Sequence, residues 1–351
     1  MTGRPRGWRS AEPDEAGPAG AVSPGSARNL VAAHHATAGQ SRWVGRIAVA
    51  AYHASAYVLG HLPERLAYWI VATAVQAGYV FWPAKRRWAN LNFGHVLGLP
   101  ADDPAVRRLA LRAHRHYAQY LVELMRLPGL TPEDAALRVE LEGHEFIEAL
   151  HAQGSVILAA AHVGNNEMIA AGIASRNWPI SVLADDSALP ELFDFLKAER
   201  ERIGVSIIPW RNLREIVGVL RRGEMLGLLV DWGYRPDGIP VRLFGAWTTL
   251  PAGPAVLAAR TGAPILPVVA RRRPDGTFYV THDTPIRVAS NDARELARAT
   301  QAIADALERV VAAVPDQWYS FKPMWPATEG ERDALARRFT ATLAGTAEAE
   351  A

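Results

Sequence analysis

From residue 138 onward short apolar runs alternate with helix-forming stretches, and nothing else in the chain restricts its fold as much. Candidate strands are Ser155–Ala161, Ile180–Ala184, Val205–Pro209, Met225–Asp231, Ile265–Ala270 and Phe278–Thr281. Candidate helices lie between them at Asn165–Ser175, Leu189–Ile203, Asn212–Arg222, Pro251–Thr261 and Asp292–Ala313. Strands that alternate with helices form a mainly parallel sheet covered on both faces, so the expected class is α/β with a central sheet flanked by helices. Ligands of such sheets sit beyond the carboxyl ends of the strands. His162 is at one such end and Asp231 at another. No internal repeat is present.

The first third reads differently. Residues 1–40 are rich in Gly, Pro, Ala, Ser and Arg, have no apolar period, and are expected to form a disordered tail. They lack the continuous apolar stretch of a secretory signal, and Glu12, Asp14 and Glu15 argue against a transit peptide. Two apolar segments follow, Val44 to Leu62 and Leu66 to Pro83, and together they predict an apolar helical hairpin. The second, 18 residues long, is at the short limit for a membrane span. It suits a buried hairpin or a pair lying in a membrane interface. For the interface, Trp69, Trp82 and Trp88 supply rings at headgroup level, and Lys85-Arg86-Arg87 supplies cations for anionic lipid. Residues 104–126 carry apolar side chains at helical spacing, and Pro128-Gly129 ends that helix. The expected plan is a tail at 1–40, a helical membrane-associating region at 41–130, an α/β core at 131–340 and a second tail at 341–351.

Composition removes several kinds of chemistry. A chain of 351 residues that is 49% hydrophobic can bury one large core or two small ones. Its net charge of +2 is too weak to point to nucleic acid. With no cysteine it has no disulfide, no thiolate nucleophile and no Cys-ligated zinc or iron–sulfur centre. Neither a Gly-x-Ser-x-Gly elbow nor a His-Glu-x-x-His motif occurs, and neither a P-loop nor Gly-x-Gly-x-x-Gly is present.

What remains is the segment Ala161-His162-Val163-Gly164-Asn165-Asn166-Glu167-Met168. A neutral imidazole at the end of a buried strand can take a proton from a hydroxyl near neutral pH. It works better when its second nitrogen donates to a carboxylate, which fixes the tautomer and stabilises the imidazolium. Glu167 is the carboxylate nearest in sequence. The pairing requires His162 and Gly164 to lie in a turn, with Asn165 or Asn166 capping the helix that follows. The bland alternative is a structural histidine beside a solvated glutamate.

The strand–His-x-Gly-Asn-x-Glu–helix pattern resembles the signature of the lysophospholipid acyltransferase superfamily. The branch it resembles is that of the late lipid A acyltransferases and phosphatidylinositol-mannoside acyltransferases. Further segments are similar to that branch in the same order: Arg86-Arg87 with Asn90-Leu91, Arg200 to Gly204, Ile239 to Gly245, then Thr249, Pro251, Gly253-Pro254-Ala255, Thr261 to Pro264, and Pro315-Asp316-Gln317-Trp318. The resemblance covers residues 44–325. It departs from the pattern at Asn166, where an aromatic is usual, and at Trp232, where a polar residue usually follows the aspartate.

The resemblance implies a glycerolipid acyltransferase-like fold and transfer of a fatty acyl group from acyl-CoA or acyl carrier protein, as co-substrate, to a hydroxyl of a membrane glycolipid such as a phosphatidylinositol mannoside. It implies no other cofactor and no metal. His162 would deprotonate the acceptor, Glu167 would hold His162, and no covalent intermediate would form. Arg200 and Asp231 are the first substrate-binding candidates, followed by Arg235, Thr249 and Asn166, the last as part of the pocket wall. The partners implied are the thioester donor, the glycolipid acceptor and an anionic membrane surface, with the protein peripheral at the cytoplasmic face of the plasma membrane. Two other readings fit the residues: acylation of a soluble sugar or natural-product acceptor, and non-catalytic binding of acyl-CoA or lipid.

Overall fold

The computed structural model describes residues 43, 44, 46–185 and 190–345, so the tail expected at 1–40 lies outside the described residues. Helix α1 (46–61) and helix α2 (Glu64–Phe81) form the expected hairpin. Helices α3 (Pro83–Leu97) and α4 (Pro104–Met125) follow. Asp103 caps α4 by accepting from the Ala105 amide, and Pro104 occupies the first turn, where no amide is missed. At the other end of α4, Arg126 donates to the Leu59 and Leu62 carbonyls and so ties down the last turn of α1. Among the described residues no helix is long and apolar enough to cross a membrane.

The core sheet contains β1 (Val139–Leu141), β2 (Val156–Ala160), β3 (Ile180–Ala184), β4 (Val205–Pro209), β5 (Met225–Leu229), β8 (Ile265–Arg272) and β9 (Phe278–His282), in the order β1-β9-β8-β2-β5-β3-β4. All neighbours are parallel except β8 and β9. On β2, Ile157 and Ala159 enter one apolar cluster while Val156 and Leu158 enter another on the opposite face. That two-residue period, buried on both sides, is why the strand reads as an unbroken apolar run. The flanking helices include α5 (Pro132–Arg138), α6 (His144–His151), α7 (Asn166–Ala174), α8 (Pro190–Arg202), α9 (Leu213–Arg221), α10 (Gly253–Thr261) and α11 (Ala293–Ala313).

Some elements extend or revise the sequence reading. The segment Ile239 to Leu250 forms a separate antiparallel hairpin, β6 (Ile239–Leu243) and β7 (Ala246–Leu250). Phe244 and Gly245 make its turn, both with positive φ. Gly253 and Pro254 start α10. The last helix, α12 (Glu329–Ala344), has a Thr328–Glu331 capping box and runs into the stretch expected to be a tail from 341 onward.

Candidate active site

Strands β2 and β5 pair in parallel with Val156 opposite Met225 and Ala160 opposite Leu229. Carried two residues further, that register sets His162 beside Asp231. The Val230 amide still donates to the Ala160 carbonyl, so the pairing persists past the strand ends. His162 Nδ1 lies 2.7 Å from Asp231 Oδ1, and the His162 amide donates to the same carboxylate at 2.9 and 3.1 Å. The Trp318 indole N–H donates to Asp231 Oδ2 at 2.8 Å. Asp231 is buried, while the His162 side chain keeps 30% of its surface exposed.

The electrostatics follow from this arrangement. Burial alone would lower the His162 pKa, but the charge and hydrogen bond of Asp231 outweigh it, so the value is raised; Lys322 opposes the rise. Burial alone would raise the Asp231 pKa, but His162 and the Trp318 indole hold it below the ordinary carboxylate value. With Nδ1 taken by a carboxylate, Nε2 is the ring nitrogen left for proton transfer, the arrangement a general base would need.

The turn after His162 is built as expected, but Glu167 goes elsewhere. Gly164 has φ of 64°, and a Cβ on it would run into the Ala270 carbonyl. Asn165 caps α7 by accepting from the Met168 amide at 3.2 Å. Glu167, in the first turn of that helix, accepts from Arg200 Nε and Nη2 at 2.8 and 2.6 Å. The expected His162–Glu167 pairing is therefore not formed: the carboxylate on His162 Nδ1 is that of Asp231, and Glu167 is on Arg200. The physical reason is that the cap starts the helix at Asn166 and turns Glu167 toward α8, while the strand register has already supplied a carboxylate to Nδ1.

The other candidates divide. Arg200, expected to be open to a phosphate, has its guanidinium fork on Glu167, and that carboxylate raises its pKa against the lowering effect of burial. The buried Thr249 hydroxyl donates to the Arg235 carbonyl at 2.6 Å and accepts from the Arg235 amide at 3.1 Å. These two bonds brace the loop at Arg235. The Arg235 side chain pairs with Asp237 at the surface. Asn166 remains of interest because its buried Oδ1 has no hydrogen-bond partner in the protein.

Several supporting residues were given no role by the sequence reading. Gln317 accepts from the Arg272 amide at 2.8 Å and donates to the Arg272 carbonyl at 3.0 Å, pairing like a strand with the end of β8. The Arg272 guanidinium forms a buried ion pair with Glu123 of α4, and Glu123 accepts from Asn165 Nδ2 at 2.6 Å. Asn92 of α3, also buried, donates to the Ser320 and Lys322 carbonyls at 2.8 and 2.7 Å. A buried polar residue with such partners leaves no local trace beyond its residue type. A cavity of about 590 Å³ lies beside the first turn of α7, lined by residues that include His53, Tyr57, Tyr68, Glu123, Arg126 and Glu167.

The chain is similar to known proteins over most of its length. A family model described as bacterial lipid A biosynthesis acyltransferase matches residues 39–326. A phosphatidylinositol mannoside acyltransferase of Mycobacterium tuberculosis (strain CDC 1551 / Oshkosh) is 27% identical over 260 residues, covering 70% of this chain and 80% of that protein. Its namesake in Mycolicibacterium smegmatis is 28% identical over 247 residues, covering 67% of this chain and 78% of that protein. Among solved structures, the 1-acyl-sn-glycerophosphate acyltransferase PlsC of Thermotoga maritima covers 72% of this chain and 100% of its own, with 17% identity and a TM-score of 0.35.

Proposed function

Because the chain belongs to the bacterial lipid A biosynthesis acyltransferase family, we propose that it transfers a fatty acyl group from acyl-CoA or acyl carrier protein to a hydroxyl of a phosphatidylinositol mannoside or a closely similar membrane glycolipid. The observation that carries this reading is the Asp231–His162 pair at the carboxyl ends of β2 and β5, with the carboxylate buried and the imidazole partly open to solvent.

In this mechanism His162 Nε2 takes the proton of the acceptor hydroxyl. The alkoxide adds to the thioester carbonyl, and the tetrahedral intermediate collapses with loss of the thiolate. The imidazolium then returns its proton to the sulfur, so no acyl group ever resides on the enzyme. Asp231 holds Nδ1–H and stabilises the imidazolium between the two proton transfers. Glu167 and Arg200 act as a clamp between α7 and α8 that holds the turn after His162.

The enzyme works as a peripheral protein on the cytoplasmic face of the plasma membrane. Supporting this, Trp69 is 67% exposed, Phe81 82% and Trp82 60%. Lys85 sits 5.9 Å from the Trp82 ring and 5.0 Å from the Trp88 ring, so cations and exposed rings share one region.

The test is direct. Purified protein with radiolabelled acyl-CoA and a phosphatidylinositol mannoside should yield labelled glycolipid, and His162→Ala should abolish it while remaining folded. Turnover retained in His162→Ala would remove the base assignment. Labelling of a soluble sugar in preference to the lipid would replace the acceptor.

A further inference from the structure

Two features next to the base have no part in the proton transfers. Trp232, 47% exposed, has its ring 6.1 Å from the His162 ring, and the Lys322 ammonium stands 3.4 Å from the Trp232 ring centroid. A lysine placed on an indole face is attracted to it and held in place.

The backbone beneath Lys322 is also fixed. Asn92 Nδ2 donates to its carbonyl at 2.7 Å, and the Tyr234 amide donates to the Pro323 carbonyl at 2.8 Å. Gly233, with φ of 116°, lets the 231–234 segment run close against the Lys322 Cβ. A chain that builds this much support under one cation is positioning it.

Two charged groups act on that cation, Lys85 and Asp185. Burial and the nearby Lys85 both lower the Lys322 pKa, and Asp185 offsets them only in part. The Lys85 charge acts on Lys322 through its field, and a doubly charged anion at Lys322 relieves that repulsion. Lys85 is itself held by the Trp82 and Trp88 rings, so neither lysine is free to swing away without losing an aromatic contact.

We propose that Lys322, seated on Trp232 and assisted by Lys85, binds a phosphate group of one of the substrates and thereby sets which hydroxyl reaches His162. The proposal takes the substrates from the acyl-transfer reading. Binding of a phosphate itself does not depend on that reading. The phosphate belongs to the lipid headgroup of the acceptor or to the nucleotide or phosphopantetheine portion of the donor, and kinetics separate the two.

Steady-state transfer is measured for wild type, Lys322→Ala, Lys322→Arg and Lys85→Ala, in four substrate combinations. The acceptor is a short-chain phosphatidylinositol mannoside or an alkyl mannoside without phosphate; the donor is acyl-CoA or acyl-pantetheine. Lys322→Ala should raise KM about tenfold for the phosphate-bearing member of one pair, with kcat little changed, because one charge-assisted contact is lost. KM for its phosphate-free counterpart should not move, and Lys322→Arg should restore most of the loss. A rise confined to the acceptor assigns the lipid phosphate; a rise confined to acyl-CoA assigns the donor. An equal rise with the phosphate-free substrates, or no rise at all, overturns the proposal. Titration of the wild type and Lys322→Ala with inorganic phosphate, followed by phosphorus NMR, gives a readout independent of turnover. Equal binding by both proteins would overturn the phosphate site even in a fully active enzyme. Weaker binding by Lys322→Ala would uphold it even if wild type transferred no acyl group.

Discussion

Arg200 grips both oxygens of Glu167, at 2.8 and 2.6 Å, while His162 turns its Nδ1 to Asp231. The histidine and the glutamate that lie five residues apart in sequence therefore belong to two different ion pairs. Glu167→Gln keeps an acceptor at the same place but removes the charge facing Arg200. We expect it to lower unfolding free energy by about 2 kcal/mol, less than for a fully buried pair because both side chains retain some exposure. The acid limb of its pH–rate profile should stay where wild type has it, since Asp231 sets the His162 proton affinity. Urea melts and kcat against pH check both statements. A limb displaced in Glu167→Gln would return Glu167 to His162.

Asp231→Asn should do what Glu167→Gln does not. In the proposed mechanism the neutral imidazole is the base, so transfer should be lost as pH falls through the His162 pKa. Burial lowers that pKa and Asp231 more than compensates, leaving it above the ordinary 6.5. Replacing Asp231 removes the compensation, so the acid limb should move to lower pH while kcat falls by about a thousandfold or more. The stability effect has its own window. The raised His162 value contributes stability that is complete below 6.5 and lost as pH rises through the folded value. The lowered Asp231 value contributes stability that is complete above 3.8 and lost as pH falls through the folded value. The gap in Tm between wild type and Asp231→Asn should therefore be widest between those two pH values and narrow above 6.5. A gap that widens as pH rises above 6.5 would show that Asp231 does not favour the imidazolium form of His162.

The strands were legible because β2, β3, β4 and β5 are largely apolar on both faces, and a short continuous apolar run bounded by turn residues suits a strand buried in a parallel sheet. Strand β1 is only the triplet Val139–Leu141, too short for any period to register. The β6–β7 turn uses Phe244 and Gly245 where Asn-Gly would have announced a hairpin. The site was half legible. Both His162 and Asp231 stood at strand ends, and they are 69 positions apart, the same offset that relates Val156 to Met225. Only the pairing of β2 with β5 turns that offset into a contact, and sequence proximity favoured Glu167 instead. Glu123, Arg272 and Asn92 were out of reach because each acts through long-range hydrogen bonds that no local pattern encodes.

Gly164→Ala should show how little room the turn after His162 has. The residue has positive φ, and its missing Cβ is what lets the Ala270 carbonyl pass. A methyl group there must push β8 away or pull His162 off Asp231. We expect a loss of about 2 kcal/mol or more in unfolding free energy, with transfer lost more steeply than stability. Chemical denaturation and kcat of the same preparation test this. Wild-type kcat in Gly164→Ala would mean that the turn does not position the base.

Membrane attachment should reside in the exposed rings of the α1–α2 hairpin and the segment after it, separately from the catalytic pair. Trp69, Phe81 and Trp82 are mostly uncovered, and burying one such side chain in an apolar phase contributes about 2 kcal/mol. Replacing all three by serine should release the protein from anionic liposomes in a flotation assay. It should leave kcat with a detergent-dispersed acceptor close to wild type, because none of the three touches His162 or Asp231, while KM rises only as far as Lys85 depends on the Trp82 ring. Raising ionic strength should weaken liposome binding further, through Lys85, Arg86 and Arg87. Undiminished flotation of the triple variant would place the membrane contact elsewhere. Loss of transfer to dispersed acceptor would mean instead that these rings hold the acyl chains of the substrate.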